Sequence, residues 1–295
     1  MHKFCIIISL GCLFGSQITA QASARAPTMS LALQVAKADI VIDGMTASFE
    51  KGAAGEFQIG PRKYHGSLDM VRFNVEFVLK GQVALGEIVV EVLVQDPRIE
   101  SDCPALAIIA PKQRCLLCLR KDNLQYKLVE PFAKTVELPQ EIDEYPAVKA
   151  DTQALLQWEL LNAIRNGSPK VVRGALEAAP GALVKDEQSV ELLTRVSQGN
   201  DPELVLRALI VLISFGQAEA LDKAVAFGES GQSSELKTYL LGLAVLEARS
   251  VDMVPSLKKL LNSADLPLRE CARYALGQIA RQSKAKGTAK GTHGD

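Results

Sequence analysis

Histidine is almost missing from this chain, and aromatic bulk is scarce. Across 295 residues there are three histidines, one tryptophan and 5% aromatic side chains. His2 stands at the extreme N-terminus and His293 two residues from the end, so only His65 lies where a folded body is expected. A mechanism needing two or more histidines is thereby excluded. An excess of one charge is missing too: 33 basic and 34 acidic side chains give a formal net charge of −1. That balance argues against a strongly basic nucleic-acid binder and against an acidic disordered chain. No later stretch reads as a bilayer span. Leu204–Phe215 is apolar, but Arg207 interrupts it and its period is amphipathic. There is no P-loop and no G-x-G-x-x-G after a strand. Asp96, Glu100 and Asp102 lack EF-hand spacing and read as a solvated loop. No cofactor and no metal are expected.

What is present is 48% apolar residues, enough over this length for one to three domains with sizeable cores. Residues 1–24 read as a secretory signal peptide. Lys3 supplies the positive charge, Phe4 to Phe14 the apolar region, and Ala20, Ala22 and Ala24 the small residues of a cleavage site after Ala22 or Ala24. The apolar run falls well short of the roughly 20 residues that span a bilayer. Cys12 after Leu10-Gly11 offers a lipoprotein alternative. The mature chain is expected to be soluble and exported, periplasmic or secreted. Cys103, Cys115, Cys118 and Cys271 then remain, in a compartment that permits disulfides.

From 31 to 140 the pattern has period two. Val71, Phe73, Val75, Phe77 and Leu79 alternate with polar residues, as do Ile88, Val90, Val92 and Val94, and Leu124, Tyr126 and Leu128 follow. Asp39–Lys51 changes parity at Gly44, which predicts a bulge or bend. Ser30 is a candidate N-cap for a short helix over 30–37. Residues 52–68, with four glycines and Pro61, read as a loop or an irregular edge. Short strands between turn signals predict a small barrel or sandwich. The run Ala38-Asp39-Ile40-Val41-Ile42, the strand ending Val78-Leu79-Lys80-Gly81, Ile88–Val94, Cys103, Cys115–Leu119 and Tyr126–Leu128 resemble, in that order, netrin-like domains and tissue inhibitors of metalloproteinases. The resemblance implies an OB-type five-stranded barrel. Inhibitors of that family insert an N-terminal cysteine into the protease metal site. Here Ser23 or Arg25 would begin the mature chain, so that device is not implied. An immunoglobulin-like sandwich is the alternative for the same strands.

A Pro-containing linker is placed over 141–150, and from Asp151 the period becomes helical. Asp151 is read as a cap for a helix that Gly167 closes, and Ser168-Pro169 opens the next. Further helices are predicted near 186–198, 201–215, 217–228, 233–248, 252–262 and 265–282. Three repeat at a spacing of 32: Asp201, Ser233 and Asp265 as caps, then Leu204, Leu236 and Leu268, then Ala208, Leu240 and Ala272. Such a period is that of stacked helix pairs. Asp265-Leu266-Pro267-Leu268-Arg269-Glu270-Cys271-Ala272 and Asp201-Pro202-Glu203-Leu204 resemble HEAT (armadillo-type) repeats, which implies an α-solenoid over 151–282. Leu160–Gly181 also passes for an ankyrin-like pair. Residues 283–295 read as a disordered, mildly basic tail. The fold class expected is therefore a multi-domain α+β protein, a small β-barrel followed by an α-solenoid.

Candidate chemistry is thin. Cys115-Leu116-Leu117-Cys118 is a CxxC, but in a strand rather than in a knuckle turn or at a helix start, against both zinc and thioredoxin-like readings. The two cysteines point to opposite faces, so Cys103 with Cys115 or Cys118 is the disulfide expected. Cys271 reads as a packed thiol. A cysteine–histidine nucleophile from Cys103 and His65, or a serine triad on His65, would need partners that the sequence does not reveal. The function expected is non-enzymatic binding of a protein partner in the envelope or extracellular space. Its candidate surface residues are Arg207, Lys237 and Arg269 on the repeats, with Trp158 as the minority hot spot. The alternatives are a modulator or inhibitor of an exported protease through the barrel, and a hydrolase.

Overall fold

The computed structural model describes residues 29–59, 62–95, 109–123, 125–130, 135–141, 151–229 and 235–290. The signal segment, Cys103, the loop with Asp96, Glu100 and Asp102, and most of the expected linker lie outside them. The chain is a mixed α+β protein that divides into two compact units between Ala178 and Ala179.

The first unit opens with α1 (Leu31–Lys37), capped by Ser30, whose hydroxyl accepts from Leu33 N. The half-buried Lys80 Nζ donates to the carbonyls of Val35, Ala36 and Ala38 at 2.8, 3.3 and 2.6 Å. It thereby satisfies the orphan acceptors at the end of α1. The strands are β1 (Ile40–Glu50), β2 (Ala54–Ile59), β3 (Arg62–Lys80), β4 (Gly86–Gln95), β5 (Arg114–Asp122), β6 (Gln125–Leu128) and β7 (Val136–Glu137). Residues 52–68, read as a loop or an irregular edge, are thus largely strand, and β2 lies at an edge, paired only with β3 among the described residues. Both β2 and β4 pair with Gly66 and Ser67, so they flank β3 on opposite edges. β1 and β4 likewise flank Val71. β2 therefore continues the edge of β1, and the three strands form one long hairpin interrupted only at 51–53. The parity change read at Gly44 coincides with a register shift between Asp43 and Gly44.

The sheet has seven strands in the order β1-β3-β4-β6-β5-β7, with β2 on β3 and a further pairing of β5 with β1. It is one mixed sheet, not the two antiparallel sheets of a sandwich. It is not a closed barrel either, because β4 meets β6 only through the parallel pairs Val90–Tyr126 and Glu91–Lys127. One face gathers Ile40, Ile42, Val71, Phe73, Val75, Ile88, Val90, Val92, Cys115, Leu117 and Leu119. That is the period-two set, because alternate residues share a face. Leu116 and Cys118, on the opposite face of β5, are buried as well.

Two helices complete this unit: α2 (Thr152–Asn166), capped by Asp151, and α3 (Pro169–Ala178). Thr152 Oγ1 donates to Leu79 O at 2.9 Å, and Lys170 Nζ lies 2.8 Å from Glu137 of β7. The compact grouping thus places this helix pair with the sheet, whereas helical periodicity alone placed it with the repeats. Leu138 and Pro139, just before the expected linker, are buried beside β5.

The second unit contains α4 (Glu187–Val196), α5 (Pro202–Ser214), α6 (Ala218–Glu229), α7 (Glu235–Glu247), a 3₁₀ turn at Val251–Met253, α8 (Val254–Leu260) and α9 (Leu266–Lys290). Asp186, Asp201 and Asp265 accept from Ser189, Leu204 and Leu268 N at 2.7, 3.2 and 3.0 Å, as N-caps do. Ser233 lies outside the described residues. α5 packs on α7 and α7 on α9, and these are the three segments that repeat at 32. Val205–Ile213 of α5 is buried throughout, Arg207 included, so the amphipathic period read there leaves no exposed face along this stretch. α9 runs on to Lys290, so the segment read as tail is helical through that residue. Its alanines and lysines are good helix formers.

Gly52 shows what the long hairpin demands. Its N–H donates to Asp69 Oδ1 at 3.1 Å, and a Cβ there would stand 1.8 Å from the Leu68 carbonyl oxygen. Gly55 has nothing nearer than the Phe57 ring at 3.8 Å. Gly52→Ala is therefore expected to lower stability by roughly 2 kcal/mol or more, and Gly55→Ala by less than about 1 kcal/mol. Urea unfolding of the two variants checks this, and equal midpoints would refute the steric account.

Candidate functional site

The four positions proposed for partner binding fall in different settings. Arg207 is not a surface cation: it is 9% exposed, and its Nε and Nη2 donate to Glu203 Oε1 at 3.0 and 2.8 Å. It lies one turn after Glu203 on α5, a helix closed in on nearly every side, so its charge is spent inside the unit. Arg269 is half-buried. Its Nη1 donates to the Ser263 and Ala264 carbonyls at 2.5 and 3.3 Å, which ties the turn after α8 to α9. Lys237 is half-buried on α7 with Nζ 5.3 Å from the centre of the Phe227 ring, a cation–π distance. Trp158 is half-buried on α2, in the first unit. The polar repeat residues thus make their contacts within the second unit, and Trp158 belongs to the first.

The exposed side chains described on α7 are the largely apolar Leu236 and Tyr239. Leu236 and Tyr239 are 45% and 55% exposed, and three residues apart on a helix they share a face. Leu266, the first residue of α9, is also exposed. Leu236 entered the sequence reading as a register position of the repeat. Tyr239 occupies the position that Arg207 takes in α5 and Cys271 in α9, so the repeat alignment itself carries no signal for an outward aromatic.

His65 is exposed on β3, with Nε2 3.8 Å from Glu56 Oε2 on the paired strand. Cys115 pairs with Gly44, which pairs with Val75. The register therefore puts this thiol about 30 Å along the sheet from His65. Among the described residues no group of three His, Cys, Asp or Glu side chains is placed to hold a metal ion. The Cys103–His65 pairing and the Cys103 disulfide rest on a residue outside that set. Cys115, Cys118 and Cys271 are free and buried. Burial pushes the Cys118 thiol up to about 12, against a smaller opposing pull from Lys80. Burial, then Asp265 and Glu270, push Cys271 up to about 11. Cys115 is raised further by burial, Asp43 and Glu137.

The most polar buried locus was not read from the sequence. Arg114, on β5, is fully buried. Its Nε donates to both carboxylate oxygens of Asp43 at 3.1 Å and its Nη2 to Asp43 Oδ2 at 2.5 Å, while Nη1 donates to Pro139 O at 2.7 Å. Nη2 also lies 3.5 Å from Glu159 Oε1 on α2. Asp43 and Glu159 are buried too. The signal was available: Asp43 directly follows the apolar run Ile40–Ile42, Arg114 directly precedes Cys115–Leu119, and Glu159 sits within the mostly apolar Leu155–Leu161. The cluster is closed to solvent, so it joins β1, β5 and α2 rather than offering a binding surface.

Two expectations follow. Arg114→Met leaves two buried carboxylates without their counter-charge and should cost about 3–5 kcal/mol, against about 1 kcal/mol for the solvent-edge pair in Arg195→Met. Thermal and urea denaturation of both variants measure this, and a small loss at Arg114 would contradict the anchoring role. The raised thiol pKa values predict no reaction of Cys115, Cys118 or Cys271 with a thiol reagent at pH 8 in the native chain, and reaction in denaturant, mapped by mass spectrometry. The contributions of Cys271 and Cys118 to stability are full below the ordinary thiol value of 9.0 and are lost as pH rises through about 11 and about 12. Native labelling of Cys118 at the rate of a free thiol would contradict its burial.

No protein-family model matches this chain, no curated protein matches it, and no solved structure matches it.

Proposed function

We propose that this is an exported, non-enzymatic protein that binds a protein partner through the helical repeat of its second unit. The observation that carries the reading is the succession of contacts α5–α7–α9. Helices that repeat in sequence also neighbour one another in space, which is how HEAT-like arrays build a surface for a partner. Leu236 and Tyr239 supply the exposed apolar element such a surface needs, because binding energy concentrates in a few desolvated aliphatic and aromatic anchors. The finer reading of the first unit is OB-type. Its support is the order β1-β3-β4-β6-β5 with one short parallel rung and a return from β5 to β1, since OB folds are partly open barrels.

The test is capture from an extract of exported proteins by the full mature chain, beside Leu236→Glu/Tyr239→Glu with an unchanged melting temperature. The expected result is a saturable partner whose affinity drops about 10- to 30-fold in the variant, the equivalent of roughly 1.4–2 kcal/mol. Equal retention by the variant overturns this surface, and the absence of any saturable partner overturns the binding reading. The OB-type order also favours a second reading, modulation of an exported protease through the first unit. Under that reading the same variant retains a protease partner. Titration of the captured protease with the mature chain then lowers its activity.

A further inference from the structure

We draw no further inference here: the strongest candidate, the outer edge of strand β2 in the hairpin arm Ala54–His65, pairs only with β3 among the described residues, and nothing in the structure shows what covers it.

Discussion

A buried guanidinium is the constraint on which the first unit turns. Removing an arginine from water costs several kcal/mol, and the cost is offset only if nearly every donor finds an acceptor. Arg114 meets that demand by drawing on three segments far apart in sequence: Asp43 on β1, the Pro139 carbonyl after β7, and Glu159 on α2. The fork geometry matters, because a guanidinium can grip a carboxylate with two nitrogens while a third donor points elsewhere. Once β1 and β5 are paired through Ile40–Met45, the arginine has one orientation that satisfies it. In that orientation α2 has to deliver Glu159. Apolar contacts would tolerate a shift of helix against sheet, whereas a buried ion cluster does not.

This explains why the unit boundary does not follow the change of periodicity at Asp151. The strands end near Glu137, but Arg114 is still incomplete there. Thr152, at the first turn of α2, bonds the end of β3, and Lys170, at the start of α3, reaches Glu137. The helix pair is held at both its beginnings by the sheet. Its resemblance to a first repeat is a resemblance of local pattern, and local pattern is blind to which core a helix joins.

Much of the secondary structure was legible because it rests on local chemistry. Aspartate caps at Asp151, Asp186, Asp201 and Asp265 mark helix starts, since a short carboxylate satisfies orphan N–H groups wherever it stands. The alternation through Val71–Leu79 marks a half-buried strand, and the parity change at Gly44 marks an irregular register. What escaped was non-local. Residues 52–68 read as a loop or an irregular edge because their glycines and polar residues carry no alternation, yet β2 and β3 pair along most of them and Gly52 lets the hairpin pass its break. Arg207 read as a surface cation because a charge in a repeat helix usually faces water. Nothing in the sequence of α5 says that its neighbours close over it, and only the run Val205–Ile213, apolar around Arg207, hints at that. The candidate site was the least legible part. Leu236 was visible as a repeat position, but its exposure, and that of Tyr239, depends on where α7 stands in the packing.

Interactions already made inside the second unit limit where binding energy can reside. A charged side chain adds to recognition when its desolvation is offset by a partner group, and that requires it to be uncommitted beforehand. Arg207 is committed to Glu203, Arg269 to two backbone carbonyls, and Lys237 to the face of Phe227. Taking any of these for a partner means breaking an interaction already made inside the unit, and the net gain is small. Leu236 and Tyr239 carry no such debt: water contact is unfavourable for their apolar surface, and burying it under a partner gains roughly 25 cal/mol per Å². Tyrosine adds a rigid ring with few rotamers to lose and a hydroxyl that can find an acceptor. Under the proposed function, recognition by the second unit would therefore rest on the apolar face of α7 rather than on the polar residues of the repeat. The salt dependence of partner capture should accordingly be shallow, whereas a surface built on Arg207, Lys237 and Arg269 would weaken steeply as ionic strength rises.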